Sequence, residues 1–414
     1  MPVTAGAEFG GAAFAVIGRL LGARSGTGDG ADDDGGRDLD GAVVVQGRTI
    51  TAVQIPARLE GLPPRRVRAA FVAPGFIDLQ INGAFGFEVG TDPAALHALA
   101  ARLPATGVTA FLPTLVSRGA ADYDLAFAAF DTFAGAAEAT DATGAEAPAR
   151  ALGLHLEGPL LAAARRGAHA RPPIEQADAA LVERLADPRR VRVVTLAPER
   201  DGVPALVARL SARGIVVALG HTDASFEAFT AAVDAGATLA THVFNAMSPL
   251  HHRAPGATGA ALTDDRVTAL MIADGVHTHP AAFKLAVRAK GGGRLALVTD
   301  ATPGAGLGPG VSHLGSQSVV IDQTSARLPD GTLAGSTLTM DRAIRNAVAF
   351  AGLTAGQAVR LATAVPARVL GLGDRGSLFA GARADLVLLD EALNVTATYV
   401  GGGLAYAGAG AGGP

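Results

Sequence analysis

Four polar residues of the types that bind metals or transfer protons follow directly on apolar runs of the sequence. They are Glu157 in HLEGP, His221 in VALGH, His242 in LATHVFNAM and Asp300 in LVTDA. Two neutral imidazoles and one carboxylate, with water in the fourth position, form a common catalytic zinc site. Bound metal lowers the pKa of water from about 15.7 toward 7. The set predicts a metal-dependent hydrolase in which Asp300 takes a proton from the attacking water and passes it to the leaving nitrogen.

The stretch APGFIDLQINGAFG, at 73–86, raises the question of how many metals are bound. Gln80 and Asn82 lie two positions apart, so their side chains share one face of a strand. A metal-dependent hydrolase would be expected to carry a pair of histidines here. Because three candidate ligands remain on later strands, we predict one divalent metal per subunit, not two. We expect the two amides to hydrogen-bond a water or a nearby loop.

Other polar residues require a substrate to explain them. Asn245 and Arg253 lie in NAMSPLHHRAPG, and His277 lies in ADGVHTHP. An arginine with an amide and an imidazole suits a phosphate or carboxylate, because guanidinium donates as a bidentate fork. His169 in RRGAHA follows the glutamate strand, and spacing alone leaves its role open. We interpret the remaining histidines of these loops as solvated: His251, His252 and His279.

The elements that position these residues follow from the alternation of apolar runs with alanine-rich segments between about 73 and 373, the pattern of repeated βα units. Eight runs are predicted as strands, the number that closes a parallel barrel: GFIDLQI, GVTAFLPTL, ALGLHLEG, VRVVTLAPE, GIVVALGH, LATHVFNAM, VTALMIADG and LALVTDA. Active sites of such barrels lie at the carboxyl ends of the strands. The four residues above all fall there.

The predicted fold class is α/β, a (β/α)8 TIM-like barrel at 73–373 with a small β-sandwich domain built from both chain termini. That domain comprises residues 1–72 and 374–414, where the chain returns to strand-like runs. The acidic, glycine-rich segment 26–41 is predicted to be a solvated loop, with a calcium site as the weaker alternative because it lacks regular ligand spacing.

Composition excludes several classes of protein. The chain has 414 residues, 49% of them hydrophobic and 17% charged, which indicates a globular protein with a sizeable core. A net charge of −4 argues against nucleic-acid binding. The lack of cysteine excludes disulfides and thiolate metal sites. The sequence has no signal-peptide pattern and no apolar run of roughly 18 residues, so we expect a cytoplasmic protein that does not bind membranes.

Several motifs together resemble the N-acetylglucosamine-6-phosphate deacetylases of the amidohydrolase superfamily. They occur in family order from about residue 73 to residue 368: HLEGPLL, RRGAH, TLAPE, GHTDA, THVFNAMSPLHHRAPG, ADGVHTHP, LVTDATPGAG and LAGSTLTMDRAI. The resemblance implies hydrolysis of N-acetylglucosamine 6-phosphate to glucosamine 6-phosphate and acetate.

The resemblance also implies a role for each site residue. Asp300 corresponds to the catalytic acid/base, and His169 is similar to a histidine that polarises the acetyl carbonyl. Arg253 corresponds to an arginine that reaches the site of the neighbouring subunit, which implies a homodimer. The implied metal ligands are Glu157, His221 and His242, and the implied phosphate and sugar contacts are Asn245, the Ala246 backbone and His277.

Alternatives remain open at this point. Zinc is expected, but iron, manganese and cobalt also accept imidazole and carboxylate ligands. Variation within SPLHHR leaves N-acetylgalactosamine 6-phosphate as an alternative substrate. Amidohydrolases of cyclic amides or N-acyl amino acids usually need a histidine pair and often a modified lysine, whereas only Lys284 and Lys290 are present and neither ends a strand. The non-enzyme alternative is an inactive sugar-phosphate-binding protein, which would have no use for a metal and a base.

Overall fold

The computed structural model describes residues 13–23, 39–58, 60–143 and 148–408. Within them, eight parallel strands follow one another in chain order around a barrel: Phe76–Ile81, Val108–Val116, Leu154–Glu157, Val191–Leu196, Val216–Leu219, Leu239–Ala240, Thr268–Met271 and Leu295–Leu297. The ends of the series are joined by hydrogen bonds of 2.8 Å, from the Asn82 N–H to the Ala301 carbonyl and from the Asp300 N–H to the Gln80 carbonyl. The predicted eight-stranded parallel barrel is confirmed.

Helices surround the barrel and cover its outer face. The α-helices of the described residues are Pro93–Arg102, Ala120–Thr143, Arg171–Gln176, Ala179–Leu185, Val203–Ala212, Phe226–Asp234, Gly256–Thr263, Pro280–Lys290, Met340–Ala351, Ala355–Leu361 and Ala364–Val369. Short 3₁₀ turns span Leu103–Thr106 and Ala163–Arg165. Several helices begin at polar caps; for example, Ser225 accepts a hydrogen bond from the Ala228 N–H. No helix in the described part of the chain has the length and apolar character needed to cross a bilayer.

The barrel strands are buried on both faces. Every residue of Phe76–Ile81 and of Val108–Val116 is buried. This is why these strands are near-continuous apolar runs in the sequence, since helices cover one face and the packed interior covers the other. The polar side chains within Phe76–Ile81 therefore enter a closed interior, where each needs a partner.

The small domain contains a seven-stranded sheet with strands from both ends of the chain. In sheet order the strands are Gly403–Ala407, Val395–Val400, Leu386–Leu389, Arg65–Pro74, Phe14–Leu20, Leu39–Gln46 and Thr49–Gln54. The small β-domain built from both termini is thus confirmed. The acidic segment 26–41 lies outside the described residues except for its last three, which begin the strand Leu39–Gln46. The domain limits at 72/73 and 373/374 stay a proposal.

One element was not predicted. After the eighth barrel strand the chain forms a three-stranded antiparallel sheet, here called the cap sheet: Gly310–Leu314, Gln317–Ile321 and Ala326–Arg327. Its buried side chains, including Leu314 and Ile321, form one apolar cluster with Val116 and Ala168 of the barrel rim. The cap sheet therefore lies against the carboxyl ends of the barrel strands. Shorter pairs complete the strands: Gly83–Ala84 with Phe87–Glu88, and Arg150–Ala151 beside the second barrel strand.

Candidate metal centre and active site

The four residues singled out in the sequence meet at one rim of the barrel. Glu157 is the last residue of its strand, and the other three follow their strands by two or three residues. All four are buried. His221, His242 and Asp300 adopt positive φ angles of 47°, 29° and 47°. Such backbone strain in non-glycine residues is concentrated at functional sites, where the surroundings impose it.

Three of these side chains point atoms that could bind a metal toward one another. His221 Nε2 lies 3.2 Å from Glu157 Oε1, and His242 Nε2 lies 3.1 Å from the same oxygen. The two Nε2 atoms are 3.1 Å apart. Tetrahedral ligands about 2.0–2.1 Å from a zinc ion are separated by about 3.3 Å. The triangle is therefore close to the size that a small divalent cation requires.

The hydrogen bonding of His221 agrees with metal binding. His221 Nδ1 lies 2.9 Å from the Arg165 carbonyl, so it carries the proton and leaves a lone pair on Nε2. A metal-binding histidine usually donates its other N–H in this way. His242 Nδ1 is buried without a hydrogen-bond partner among the described residues. The two facing nitrogens beside a carboxylate oxygen thus fit a divalent metal ion.

The carboxylate of this group is held in its ionised form. Burial opposes ionisation of Glu157, but the adjoining imidazoles of His169, His221 and His242 outweigh it and hold the pKa of Glu157 well below its usual value. A buried anion is costly unless it is paired. The site therefore presents a negative charge to a cation.

His169 lies in the same cluster but differs in its protonation. Donor atoms of Glu157, His169 and His221 all lie within 4.8 Å of one another. The backbone N–H of Ser117 donates to His169 Nδ1 over 3.1 Å, so in neutral His169 the proton is on Nε2. Nε2 lies 3.6 Å from Glu157 Oε2. In this tautomer His169 is a hydrogen-bond donor, which suits polarisation of a carbonyl better than metal ligation.

The side-chain amides of Gln80 and Asn82 donate hydrogen bonds to the two carboxylates of the site. Gln80 Nε2 donates to Glu157 Oε1 over 2.7 Å and to Asp300 Oδ1 over 3.2 Å. Asn82 Nδ2 donates to the same Asp300 oxygen over 2.7 Å. Both amides are buried. They supply hydrogen-bond donors to two neighbouring anions.

Asp300 is placed to exchange protons near neutral pH. The pKa of Asp300 is raised to about 6, mainly by burial and further by the negative charge of Glu157. Both amide donors bond to Oδ1. The second oxygen, Oδ2, is therefore the one left to accept a proton from another molecule.

A cavity of ≈ 420 Å³ opens above this centre. The predicted contact residues that line it are His169, Asn245, Ala246 and His277. His277 Nδ1 lies 2.6 Å from Asp274 Oδ2, which orients the ring. Burial opposes ionisation of Asp274, but this contact and the hydrogen bonds from the Val276 and His277 N–H groups together lower its pKa. Arg253 is not among the lining residues and is exposed. His279 is exposed, and its Nδ1 also caps a helix by accepting the Ala281 N–H.

The cap sheet adds cavity residues that the sequence did not indicate. Leu314, Arg327 and Leu333 line the cavity from this side. The Arg327 guanidinium is held by Ser325 Oγ at 3.1 Å and the Gly331 carbonyl at 2.9 Å. The two-residue Gly-Ser turn between GVSHL and the β-branched run of QSVVI was the signal available for this hairpin.

His155 is a further buried polar residue near the site that the sequence patterns did not indicate. It precedes Glu157 by two positions, so both side chains enter the barrel interior. His155 Nδ1 lies 2.9 Å from the Leu79 carbonyl, and its Nε2 lies 2.8 Å from Thr195 Oγ1. Burial lowers the pKa of His155 to about 4, so the ring is neutral and both nitrogens are engaged in structural hydrogen bonds.

Comparison with known proteins agrees with this geometry. A model of the amidohydrolase family matches residues 71–405, which include the barrel and the carboxyl-terminal strands of the small sheet. The chain belongs to the amidohydrolase family. This amidohydrolase is 42% identical over 351 residues to the human N-acetylglucosamine-6-phosphate deacetylase, which corresponds to 81% of the chain and 83% of the relative.

Two further relatives bear on substrate and fold. The N-acetylgalactosamine-6-phosphate deacetylase of Escherichia coli O157:H7 is 37% identical to this amidohydrolase over 341 residues, 81% of the chain and 88% of the relative. The structure of a mutant N-acetyl-D-glucosamine-6-phosphate deacetylase from Mycobacterium smegmatis, in complex with N-acetyl-D-glucosamine-6-phosphate, aligns with a TM-score of 0.85 and 35% identity. That alignment covers 95% of this chain and 100% of that one.

Proposed function

We propose that this amidohydrolase removes the acetyl group from N-acetylglucosamine 6-phosphate, giving glucosamine 6-phosphate and acetate. The observation that carries the proposal is the convergence of Glu157 Oε1, His221 Nε2 and His242 Nε2 within 3.2 Å of one another. These three residues are the proposed metal ligands. The named relatives are deacetylases of this sugar phosphate and of its galactosamine counterpart.

The proposed chemistry divides between a cation and two side chains. A divalent cation at this centre supplies a Lewis acid that polarises a carbonyl and lowers the pKa of water. Asp300 accepts a proton from the attacking water through Oδ2 and delivers it to the nitrogen as the C–N bond breaks. His169 donates its Nε2 proton in a hydrogen bond to the acetyl carbonyl oxygen, where negative charge develops. The products are a free amine and acetate.

Asn245, the Ala246 backbone and His277 are the proposed contacts for the phosphate and sugar. All three residues line the cavity. The Asn245 amide donates to the His242 carbonyl over 3.2 Å, which ties the contact loop to a proposed metal ligand. The Asp274 carboxylate holds His277 Nδ1. His277 Nε2 is therefore the nitrogen proposed to face the substrate.

We also propose a homodimer in which Arg253 enters the cavity of the neighbouring subunit. Arg253 is exposed on a turn that is closed by the bridge between His251 and Ala254, and it lies outside its own cavity lining. A guanidinium on a fixed turn suits bidentate contact with a phosphate. Leu250 on the same loop is 48% exposed, which fits a surface covered by a second chain. The cytoplasmic location stays a prediction.

We propose one metal ion per subunit, with zinc as the expected metal and iron, manganese or cobalt as alternatives. The chemistry of the donor set, two imidazole nitrogens and a carboxylate oxygen, accepts all four. Gln80 and Asn82 carry amides at the two positions where a metal-dependent hydrolase would be expected to carry a pair of histidines.

The direct test is acetate release from N-acetylglucosamine 6-phosphate and from its galacto epimer, with metal content measured on the same sample. We expect release from the gluco substrate and about one divalent ion per chain. Release only from the galacto epimer would replace the substrate assignment. A metal-loaded protein that is inactive on both sugars would refute the proposed function.

A further inference from the structure

Asp300 occupies a backbone position that is fixed from two sides. Its φ angle of 47° lies in the left-handed region, which a non-glycine residue keeps only where neighbouring structure imposes it. The Asp300 N–H donates to the Gln80 carbonyl over 2.8 Å, and its carbonyl accepts the Ser336 N–H over 2.8 Å. Segments from the first barrel strand and from the chain after the cap sheet thus hold the Asp300 backbone.

Thr299, the residue before Asp300, is tied by each of its polar groups. Its hydroxyl donates to Asp78 Oδ2 over 2.5 Å, and its N–H donates to Asp78 Oδ1 over 3.2 Å. Its carbonyl accepts the Ser336 hydroxyl over 2.6 Å. Thr299, Asp78 and Ser336 are all buried. Water therefore does not compete for these hydrogen bonds, and their geometry is retained.

The segment after the cap sheet, at Gly335 and Ser336, approaches Asp300 unusually closely. A Cβ added to Gly335 would lie 2.8 Å from the Asp300 carbonyl oxygen and 2.7 Å from Thr302 Cγ2. Gly335 also has a φ of 63°. Only glycine fits this position, and it brings Ser336 within reach of both Thr299 and Asp300. The motif LAGSTLTM, which supplies no predicted metal ligand, thereby contacts the proposed acid/base.

We propose that Asp78 and Ser336 are positioning residues that hold Asp300 in place through Thr299. The inference rests on the proposed role of Asp300 as acid/base. Neither Asp78 nor Ser336 lines the cavity, so loss of either contact leaves the substrate contacts in place. Displacement of a proton-transferring group slows the chemical step far more than it weakens binding. The effect therefore falls on kcat and spares KM and metal content.

The test compares Thr299→Val, which keeps the shape and removes the hydroxyl, with Thr299→Ser, which keeps the hydroxyl. We expect Thr299→Val to lower kcat roughly 10- to 100-fold, with KM within about twofold and metal content unchanged. Thr299→Ser should restore kcat to within about threefold of the unmodified protein. A matched control is Thr363→Val, because Thr363 is also buried and its hydroxyl bonds to the Val359 carbonyl, away from the site.

Three outcomes would overturn the positioning role. They are an unchanged kcat in Thr299→Val, an equal kcat loss in Thr363→Val, and no recovery in Thr299→Ser. If Thr299→Val does not fold, Ser336→Ala carries the same expectation for kcat and KM, because it removes the hydroxyl contacts to Thr299 and to the Leu338 N–H. Failure of the proposed function is separate: it would appear as no acetate release from either sugar by the unmodified, metal-loaded protein, whereas full turnover in Asp300→Asn would refute only the role given to Asp300.

Discussion

The side-chain nitrogen of Gln80 lies between two carboxylates, 2.7 Å from Glu157 Oε1 and 3.2 Å from Asp300 Oδ1. One amide thus joins the proposed metal ligand to the proposed acid/base. Two neighbouring buried anions repel each other, and hydrogen-bond donors between them reduce that repulsion. A neutral donor at this point takes part of the charge-compensating task that a second cation performs in a two-metal site.

This arrangement predicts that metal stoichiometry is set by the first barrel strand. The double variant Gln80→His/Asn82→His places two imidazoles on one strand face beside the two carboxylates, which is a set suited to another divalent ion. We expect metal analysis to give about one ion per chain for the unmodified protein and about two for the double variant. The pair Gln80→Leu/Asn82→Leu, which has no ligand atoms, serves as a control for loss of the amides. Two ions in the unmodified protein would contradict the single-metal proposal.

Asp300→Asn should separate catalysis from metal binding. The amide cannot accept the proton of the attacking water, so kcat should fall by roughly 100- to 10,000-fold. Metal content should be retained, because the three converging donor atoms belong to Glu157, His221 and His242. Glu157→Gln is the contrasting variant, and it should lose metal. Loss of metal from Asp300→Asn would show that the role given to Asp300 is wrong.

His169 can be distinguished from a metal ligand by two substitutions. His169→Leu removes the Nε2 donor and should lower kcat by roughly 100- to 1,000-fold, the usual effect of losing one donor to a developing oxyanion. His169→Gln keeps a donor and should retain more activity. Metal content, measured on both, should equal that of the unmodified protein. A metal-depleted His169→Leu would instead place His169 in the ligand set, which its position near Glu157 and His221 also permits.

The proposed exchange of Arg253 between subunits predicts complementation. Arg253→Ala and Asp300→Asn should each be nearly inactive alone. When equal amounts are unfolded together and refolded, random pairing should place one intact site in each mixed dimer and restore roughly a quarter of full activity. Separate refolding followed by mixing is the control. Absence of any recovery, with mixed dimers verified by mass spectrometry, would place Arg253 in the site of its own chain or outside both.

Asp78 predicts a pH-dependent contribution to stability. Burial is the main cause that raises the pKa of Asp78 from 3.8 to about 7. The folded chain therefore binds this proton more tightly than the unfolded chain, so stability is lost as pH rises toward 7. Asp78→Asn has no such proton. The difference in free energy of unfolding between Asp78→Asn and the unmodified protein should shift in favour of the variant by roughly 2–3 kcal/mol from about pH 5 to about pH 8.

Denaturant titrations at both pH values test this expectation. Asp330→Asn is a suitable control because Asp330 is exposed, and it should show no comparable shift. An equal difference at both pH values for Asp78→Asn would mean that Asp78 stays ionised across this range.

The barrel could be predicted from sequence because its strands are buried on both faces and leave continuous apolar runs. LATHVFNAM shows the limit of that signal, since only Leu239–Ala240 is strand. His242 and Phe244 take positive φ angles of 29° and 81°, and the chain leaves the sheet there. Apolar character marks burial in the rim as well as in a strand, so the pattern alone could not place that boundary.

The partners of Gln80 could not be predicted in the same way. Gln80 is 77 positions from Glu157 and 220 from Asp300, and the three meet only because the barrel closes. No local pattern carries information about such a contact. The clamp of Asp78 on Thr299 spans 221 positions and was missed for the same reason. The residue types at the strand ends were readable from the sequence; the hydrogen bonds among them required the closed fold.

Glu157, His221 and His242 lie at the ends of three different strands, so an ion bound by them would cross-link three separate parts of the barrel. An ion that binds the folded chain alone stabilises it in proportion to the logarithm of its concentration. Chelation should therefore lower the melting temperature of the whole barrel, in addition to stopping turnover. Metal supply in the cell would then affect how much of the protein stays folded, as well as how active it is.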